Sequence, residues 1–586
     1  MKQSELLEKI ELEILPAVKK PARYTGGEWN MVKKDWQGKV HTALAFPDVY
    51  EVGMSNLGFI ILYHLINEIP YALCERVFAP WTDMEQKLLE HGVPLYSLES
   101  RRPLRDFDLI GFSLSYEMSY TNILTMLSLG KIPWRAAHRT ESDPFVIAGG
   151  GCTCNPEPIA EVFDFIVIGE GEEVIVEILD KIHEWKESGA RKRGQFLREL
   201  ADIKGVYVPS LHRVEYRGDQ GWRTEPIGDA PMPVRRRYVR NLNTAFYPLQ
   251  PILPTVQAVH DRANLEVFRG CIRGCRFCQA GIIYRPHRER SSEELLRIAK
   301  AHYESCGMEE ISLLSLNTTD YTPLPQLLQE LVEFAAPQEV SISLPSTRLD
   351  SFTEFIGREV RCVRPTGLTF APEAGTQRLR DVVKKQITEE EIIEGLKASI
   401  RAGWQRVKFY FMIGLPTETM DDVDAIPELV GRMIDAARGV AKGRVKFSVS
   451  VSNFVPKPHT PFQWLAMDSK ESLLEKQKLL RRLMRWKNVE LKLHDVNLNY
   501  LEAVFSRGDR RLLPVLEEAW RLGCRFDGWG EKFSTELWLQ AFRHCDLDPD
   551  FYARTEYPLD APLPWSHISV GVSEKFLKQE LFRSRK

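Results

Sequence analysis

The eight residues Cys271-Ile-Arg-Gly-Cys275-Arg-Phe-Cys278 constrain this chain more than any other stretch. Three thiols spaced four and three residues apart lie on one short loop, close enough to serve a single metal centre. Thiolate is a soft ligand and selects iron–sulfur or zinc. The run Ala263–Phe268 reads as a strand ahead of the loop. Behind it, Ser291-Ser-Glu-Glu-Leu-Leu opens a helix with a hydroxyl cap and an acidic first turn. That order puts the loop at the C-terminal end of a strand, where barrel enzymes keep their chemistry. Three cysteines are one short of the set that closes an iron–sulfur or structural zinc site, which leaves a position open for reaction. The competing reading is a structural zinc loop closed by His287 or a distant cysteine.

With Phe277 ahead of its last cysteine, the Cys-x3-Cys-x2-Cys pattern resembles the radical S-adenosylmethionine (SAM) superfamily. The resemblance implies that Cys271, Cys275 and Cys278 hold a 4Fe–4S cluster, whose fourth iron takes the amino and carboxylate groups of SAM. Later motifs follow in the superfamily's order. Strand two, Glu310–Leu316, ends at Asn317-Thr318-Thr319-Asp320, where relatives hold the methionine amino group; Asn317 and Thr318 are the candidates. Strand three is Val340–Pro345, followed by Ser346-Thr-Arg348-Leu-Asp350. Strand four, Gly367–Phe370, leads to Ala371-Pro-Glu373-Ala-Gly375, similar to the Glu-x-Gly segment whose glutamate contacts SAM. Strand five, Arg406–Gly414, runs into a Gly-x-Pro-x-Glu turn, which implies an adenosine-holding role for Gly414, Pro416 and Glu418. Strand six, Lys446–Ser452, is followed by Asn453–Trp464, which resembles the barrel exit of methylthiotransferases and their cobalamin-dependent relatives. Six strands imply the superfamily's partial (β/α)6 barrel.

At 586 residues, the chain is long enough for three or four domains. A net charge of −3 argues against a polycation that holds nucleic acid by charge alone. No stretch approaches the roughly twenty apolar residues of a membrane span, and Met1-Lys-Gln-Ser-Glu carries no secretory signal. Ten cysteines, three of them grouped, suit a reducing cytoplasm. A cytoplasmic location makes the sequon Asn317-Thr-Thr irrelevant.

Ahead of the barrel, strands alternate with helices: His41–Phe46, helix Leu57–Glu68, Leu109–Ser115, helix Tyr120–Leu129, Pro144–Gly151 and Asp164–Gly169. This pattern means a doubly wound parallel sheet with its ligand crevice beyond the strand C-termini. The strand ends resemble the cobalamin-binding domain of cobalamin-dependent radical SAM enzymes. Asp48-Val-Tyr50-Glu-Val-Gly53 stands where Asp-x-His-x-x-Gly carries the lower cobalt ligand, with tyrosine in the histidine position. Ser113, Ser115, Gly149 and Gly150 lie where relatives hold the nucleotide tail. Two readings stay open: cobalamin bound with no protein ligand to cobalt, or a domain that has lost it and persists as a scaffold. Cys152 and Cys154 at a strand end read either as reactive or as small buried hydrophobes.

The expected organisation is an α/β protein with an N-terminal helix and arm (1–38), a cobalamin-binding-like Rossmann domain (39–180), a connector (181–260), the barrel (261–470) and a small, mostly helical C-terminal region (471–586). In the connector, Gly205-Val-Tyr-Val-Pro and His212-Arg-Val-Glu-Tyr suggest a hairpin, and Arg235-Arg-Arg reads either as a solvated face or as a contact to a phosphate backbone. Asp527, Glu531 and His567 either pack the tail or line the site. The whole chain resembles an uncharacterised bacterial family of cobalamin-domain radical SAM proteins, whose members occur with a partner domain, separate or fused. The resemblance implies reductive cleavage of SAM to a 5′-deoxyadenosyl radical, an electron donor such as flavodoxin or ferredoxin, and cobalamin-dependent methylation of an unactivated carbon. Alternatives are a cobalamin-independent modification of RNA or protein, and a cluster- or cobalamin-binding sensor or assembly protein. The substrate, whether small molecule, RNA or protein, is not named by the sequence.

Overall fold

A computed structural model describes residues 3–189, 192–259, 262–360 and 367–585; the expected connector–barrel boundary at 260/261 falls outside them. The N-terminal sheet has six strands: β1 (Val40–Phe46), β2 (Ala72–Phe78), β3 (Leu109–Ser113), β4 (Phe145–Gly149), β5 (Phe165–Val167) and β6 (Val206–Tyr207). Their order is β2-β1-β3-β4-β5-β6. All neighbours run parallel except β5 and β6. Every residue of β1 is buried, as expected of a parallel strand covered on both faces. The N-terminal helical segment adds Leu6, Ile10, Ile14 and Leu15 to this core.

Two features differ from the expectation. β2 is an additional strand whose apolar run is broken by Glu75 and Arg76, both buried. Those charges are satisfied by groups distant in sequence: Glu75 accepts from Ser97 and Ser100, and Arg76 lies between Glu28 and Glu99. The connector hairpin pairs His212–Tyr216 with Trp222–Pro226, while Val206–Tyr207 joins the main sheet as its edge.

The barrel strands form two parallel groups. One holds β7 (Ala263–Glu266), β8 (Glu310–Leu314) and β9 (Ser341–Ser343); the other holds β10 (Leu368–Glu373), β11 (Arg406–Ile413), β12 (Lys446–Asn453) and β13 (Val489–Leu493). The six expected strands are all present. The seventh, β13, continues the parallel ladder beside β12 in residues assigned above to the C-terminal region. Along β11, exposed Arg406, Lys408 and Tyr410 alternate with buried Val407, Phe409, Phe411 and Ile413, the period of a strand with one face on the core. A capping box between Thr419 and Asp422 starts the following helix, Met420–Val440.

After β13 the chain is mostly helical, with helices Val496–Ser506, Leu512–Leu522, Thr535–His544 and Glu574–Ser584. It returns to the connector, where Ile568–Ser569 pairs with Val234–Arg235. That return buries Arg236, so the arginine triplet is not a uniformly solvated face. Among the described residues, no helix is long and apolar enough to cross a membrane.

Candidate active site

The cysteine loop is shaped by its backbone. Phe268–Arg269 pairs antiparallel with Arg288–Glu289, which folds the loop back on itself. Gly270 turns the chain at φ +92°, and a Cβ there would sit 2.5 Å from the Pro286 carbonyl and 2.7 Å from that of Tyr284. Only glycine meets both demands. Two backbone amides already point at sulfur: Arg273 N–H donates to Cys271 Sγ (3.5 Å) and Gly281 N–H to Cys278 Sγ (3.3 Å). Burial raises the pKa of both Cys275 and Cys278, the latter to about 12.

Three strand ends bring partners to this loop. Arg273 forms an ion pair with Asp320, tying the loop to the segment after β8. In that segment Asn317 is buried; its Oδ1 accepts from Thr319 (2.9 Å), and its Nδ2 has no partner among the described residues. Thr318 turns the other way, donating to the Leu313 carbonyl. At the end of β10 the ladder register shifts, and Glu373 adopts a left-handed conformation at φ +71°. Such a conformation costs on the order of 1–3 kcal/mol and is characteristic of functional sites. Glu373 accepts from Lys385 Nζ at 2.9 Å. Burial works against the charge on Lys385, but Glu373 and then Cys275 hold its pKa above the ordinary value. Arg348, from the end of β9, donates to the Lys385 and Gln386 carbonyls and fixes that strand of loop. Phe277 packs against the apolar group that includes Ala374 and Leu415.

The turn after β11 is built from within. Gly414 (φ +78°) and Thr417 (φ +66°) bend it around Pro416. Glu418 accepts from Gly414 N–H and Lys476 Nζ, both at 2.7 Å. Burial outweighs Lys476 and raises the Glu418 pKa. Glu418 therefore braces the turn. Arg273–Asp320 ties the cysteine loop to the segment that carries Asn317, and Arg276 ties it to the Val382 carbonyl, shortly before the Lys385 that holds Glu373; the Gly414–Glu418 turn lies at another strand's C-terminal end. Arg273, Arg348 and Lys385 are additional members; the Arg-x-Asp after β9 and the cation pair Lys384-Lys385 are their faint sequence signals.

The N-terminal sheet presents a different picture. Tyr50 is buried, with its hydroxyl donating to Glu28 Oε1 (2.9 Å) and accepting from Thr255 N–H (3.3 Å). Glu28 in turn receives two N–H groups of Arg76, each at 2.9 Å. Gly53 makes room for the Phe78 ring, which a Cβ would meet at 2.3 Å. Asp48 accepts from Trp529 Nε1 at 3.0 Å. Leu114 N–H closes onto the Gly149 carbonyl, Gly150 passes within 2.5 Å of the Leu114 carbonyl oxygen as measured from a Cβ placed on it, and Ser115 is exposed while Ser113 is half-buried.

The strand ends are roofed by the barrel exit and C-terminal region. Lys457 pairs with Glu117 (3.0 Å), and Asn155 donates to the Ser506 and Gly508 carbonyls. His459 bonds the Cys154 carbonyl, and Thr121 donates to Asp527 (2.7 Å). His567 meets Glu157 at 3.1 Å. Asp527 and His567 are thus packing groups of this seam, and Glu531 is exposed. Between the sheet and the cysteine loop, a cavity of about 60 Å³ remains, lined by residues that include Gly150, Gly151, Cys154, Arg236 and Tyr284.

Two family profiles match the chain: "Radical SAM proteins, N-terminal" over residues 58–209 and "Radical SAM superfamily" over residues 265–430. The chain carries domains of the radical SAM superfamily. An uncharacterised protein of Methanocaldococcus jannaschii is 27% identical over 81% of this chain and 90% of its own length. An uncharacterised methyltransferase of Pyrococcus horikoshii is 27% identical over 55% of this chain and 63% of its own. A tRNA-2-methylthio-N(6)-dimethylallyladenosine synthase of Hydrogenobaculum is 26% identical over 41% and 57%. Among solved structures, the radical SAM methyltransferase TsrM from Kitasatospora setae, with cobalamin and a [4Fe-4S] cluster bound, matches with 14% identity and a TM-score of 0.46, over 70% of this chain and 72% of that one. The cobalamin-dependent enzyme OxsB, with aqua-cobalamin bound, matches with 13% identity and a TM-score of 0.47, over 93% and 79%.

Radical SAM enzymes use SAM at an iron–sulfur cluster, and the cysteine loop fits that pairing. Its donor set is three soft thiols, two of them already accepting N–H bonds of the kind that support thiolate charge and tune a cluster. The orphaned Asn317 amide and the Glu373 carboxylate supply polar groups beside it. Among the described residues no three His, Cys, Asp or Glu side chains are gathered as a metal site, so the fit rests on the donors and their surroundings. A corrinoid is another matter. Pockets for ordinary small ligands run to about 300–1,000 Å³, and a corrinoid exceeds such ligands. The cavity between the sheet and the loop, about 60 Å³, is smaller than such pockets.

Proposed function

We propose that this radical SAM enzyme takes a hydrogen atom from an unactivated carbon of its substrate with a 5′-deoxyadenosyl radical. A 4Fe–4S cluster held by Cys271, Cys275 and Cys278 would supply the electron that splits SAM into that radical and methionine. The chain's own contribution is orientation and exclusion of water. The unpartnered Asn317 amide and the Glu373 carboxylate, held by Lys385, are suited to the polar end of SAM. The Gly414–Glu418 turn is suited to the adenosine. Flavodoxin or ferredoxin would deliver the electron. The observation that carries this reading is the convergence of Glu373 and Lys385 on the cysteine loop. The five-part division set out from the sequence is part of the proposal, with the barrel extended through β13.

Cobalamin-dependent methylation of the carbon so activated is the second reading. The name of the Pyrococcus relative favours methyl transfer. Methylthiotransferase-like chemistry lacks support in the cysteine pattern, because there is no second cysteine trio for an auxiliary cluster.

The test is anaerobic reconstitution, with cobalamin supplied, followed by iron, sulfide and cobalt analysis and assay of SAM cleavage. About four irons per chain and release of 5′-deoxyadenosine are expected. Replacing all three cysteines with alanine abolishes both. SAM cleavage that survives the triple substitution refutes the proposal, and stoichiometric cobalt would favour the second reading.

A further inference from the structure

The small cavity between the N-terminal sheet and the cysteine loop has an uneven distribution of polar partners. Its lining includes the Gly150–Gly151 turn, Thr153, Cys154, Glu170, Arg236 and Tyr284. Most of these groups are already engaged. Thr153 donates to the Gly150 and Val167 carbonyls. Cys154 accepts from Gln279. Glu170 is saturated by two N–H groups of Arg288, one of Arg269 and the Val239 amide.

Arg236 is the exception. It is 7% exposed, its Nε donates to the Val570 carbonyl at 2.6 Å, and it stacks over Tyr238. Its Nη1 has no partner and the side chain has no carboxylate in ion-pair contact, among the described residues. A buried guanidinium left this way lacks the charge-assisted bonds that normally justify its burial. Across the cavity, the Tyr284 hydroxyl lies 3.6 Å from where a Cβ on Gly151 would be. The missing side chain at Gly151 lets a ligand approach the backbone there.

We propose that this cavity is a subsite for a small oxyanion, a carboxylate or phosphate group, held by Arg236 and Tyr284 at the junction of the sheet and the cluster loop. A planar guanidinium matches such a group in shape and charge. The volume, about 60 Å³, exceeds what a single water needs but admits only the anionic end of a larger molecule. Two sources share this chemistry: an acidic group on the substrate, or the nucleotide-tail phosphate of a corrinoid. The site stands on Arg236 and the cavity, and its occupancy does not depend on radical chemistry.

The experiment is calorimetric titration of the full chain with inorganic phosphate, which needs neither cluster nor SAM and so is read apart from the radical reading. Phosphate is expected to bind the wild type, and Arg236→Gln to weaken it about tenfold or more. If Arg236→Gln fails to fold, Tyr284→Phe decides, because it keeps the ring and removes only the hydroxyl; it should weaken phosphate several-fold. No binding to the wild type, or equal affinity in a folded variant, overturns the proposal. Competition then distinguishes the sources. Displacement by aquacobalamin but not by cobinamide, which lacks the nucleotide phosphate, identifies the tail; displacement by neither identifies an acidic substrate. Displacement by both would put a corrinoid ring, not an oxyanion, in the cavity and overturn the assignment.

Discussion

Tyr50→Phe asks whether the residue in the histidine position of the cobalamin motif is a core group or a ligand. The substitution keeps the ring that meets Phe78 edge-on, so no cavity is made. It removes the hydroxyl that donates to Glu28 and accepts from Thr255. A hydrogen bond to a charged group contributes about 1.5–3 kcal/mol. Glu28 retains both Arg76 contacts, which puts the expected loss at the low end, about 1.5 kcal/mol. Burial and the Glu28 charge both raise the phenol's pKa, so the loss should not vary with pH near neutrality. A double-mutant cycle with Glu28→Gln should return a coupling of about 1 kcal/mol. A chain of this size need not unfold in one step, so the readout is amide exchange of peptides covering β1 and β2. Tyr50→Phe should leave iron and cobalt content unchanged. A coupling below about 0.3 kcal/mol, together with altered cobalt retention, would refute the core role.

Two further outcomes follow from the geometry. Gly270→Ala combines a left-handed φ with a Cβ 2.5 Å from a carbonyl oxygen; it should destabilise the loop by on the order of 3 kcal/mol and cut iron incorporation sharply. Gly274→Ala meets only the Arg285 and Lys384 side-chain tips and should be milder, so equal iron loss in the two variants would sink the argument. Burial lowers the His459 pKa to about 4. The unfolded chain then binds the extra proton first, so the stabilisation is complete above about pH 6.5 and is lost as pH falls towards about 4, by up to about 3 kcal/mol. Thermal midpoints between about pH 7 and pH 4.5 should fall in the wild type and fall less in His459→Gln; a wild-type midpoint flat across that range would contradict the assignment.

Much of this architecture is legible because local and global preferences agree. The helices Leu57–Glu68 and Tyr120–Leu129 have the limits their apolar patterns indicate, and the cysteine spacing locates the loop without any knowledge of its surroundings. β2 is illegible for a definite reason. Glu75 and Arg76 look like a surface interruption until Glu28, Ser97 and Glu99 are folded against them. β13 has the alternation of a strand, Val489-Glu-Leu-Lys-Leu, but its identity as a barrel strand comes from pairing with β12 across more than forty residues. At the site, cysteine and glutamate types announce themselves, whereas Lys385 and Arg348 matter only through contacts made by folding. Arg236 is the sharpest case. A triplet of arginines suggests solvent, and one register position in a two-residue strand pair buries the middle one.

The roof over the N-terminal strand ends bears on function independently of any cofactor. Lys457, His459, Ser506 and Arg510 come from the barrel exit and the helices beyond it. They meet Glu117, Cys154, Asn155 and Glu157, all from segments that follow β3 and β4. Glu157 alone pairs with Arg510, accepts from the Tyr207 hydroxyl and faces His567 at 3.1 Å; burial opposes its charge, but Arg510 and His567 hold its pKa well below the usual carboxylate range. Separating these surfaces would leave buried charges unpaired, at about 3–5 kcal/mol for a single broken pair. The seam therefore holds the Gly150–Cys154 turn in fixed relation to the cysteine loop, through Gln279 next to Cys278. The proposed hydrogen-atom abstraction needs its substrate carbon held still, and this seam beside the cysteine loop meets that need.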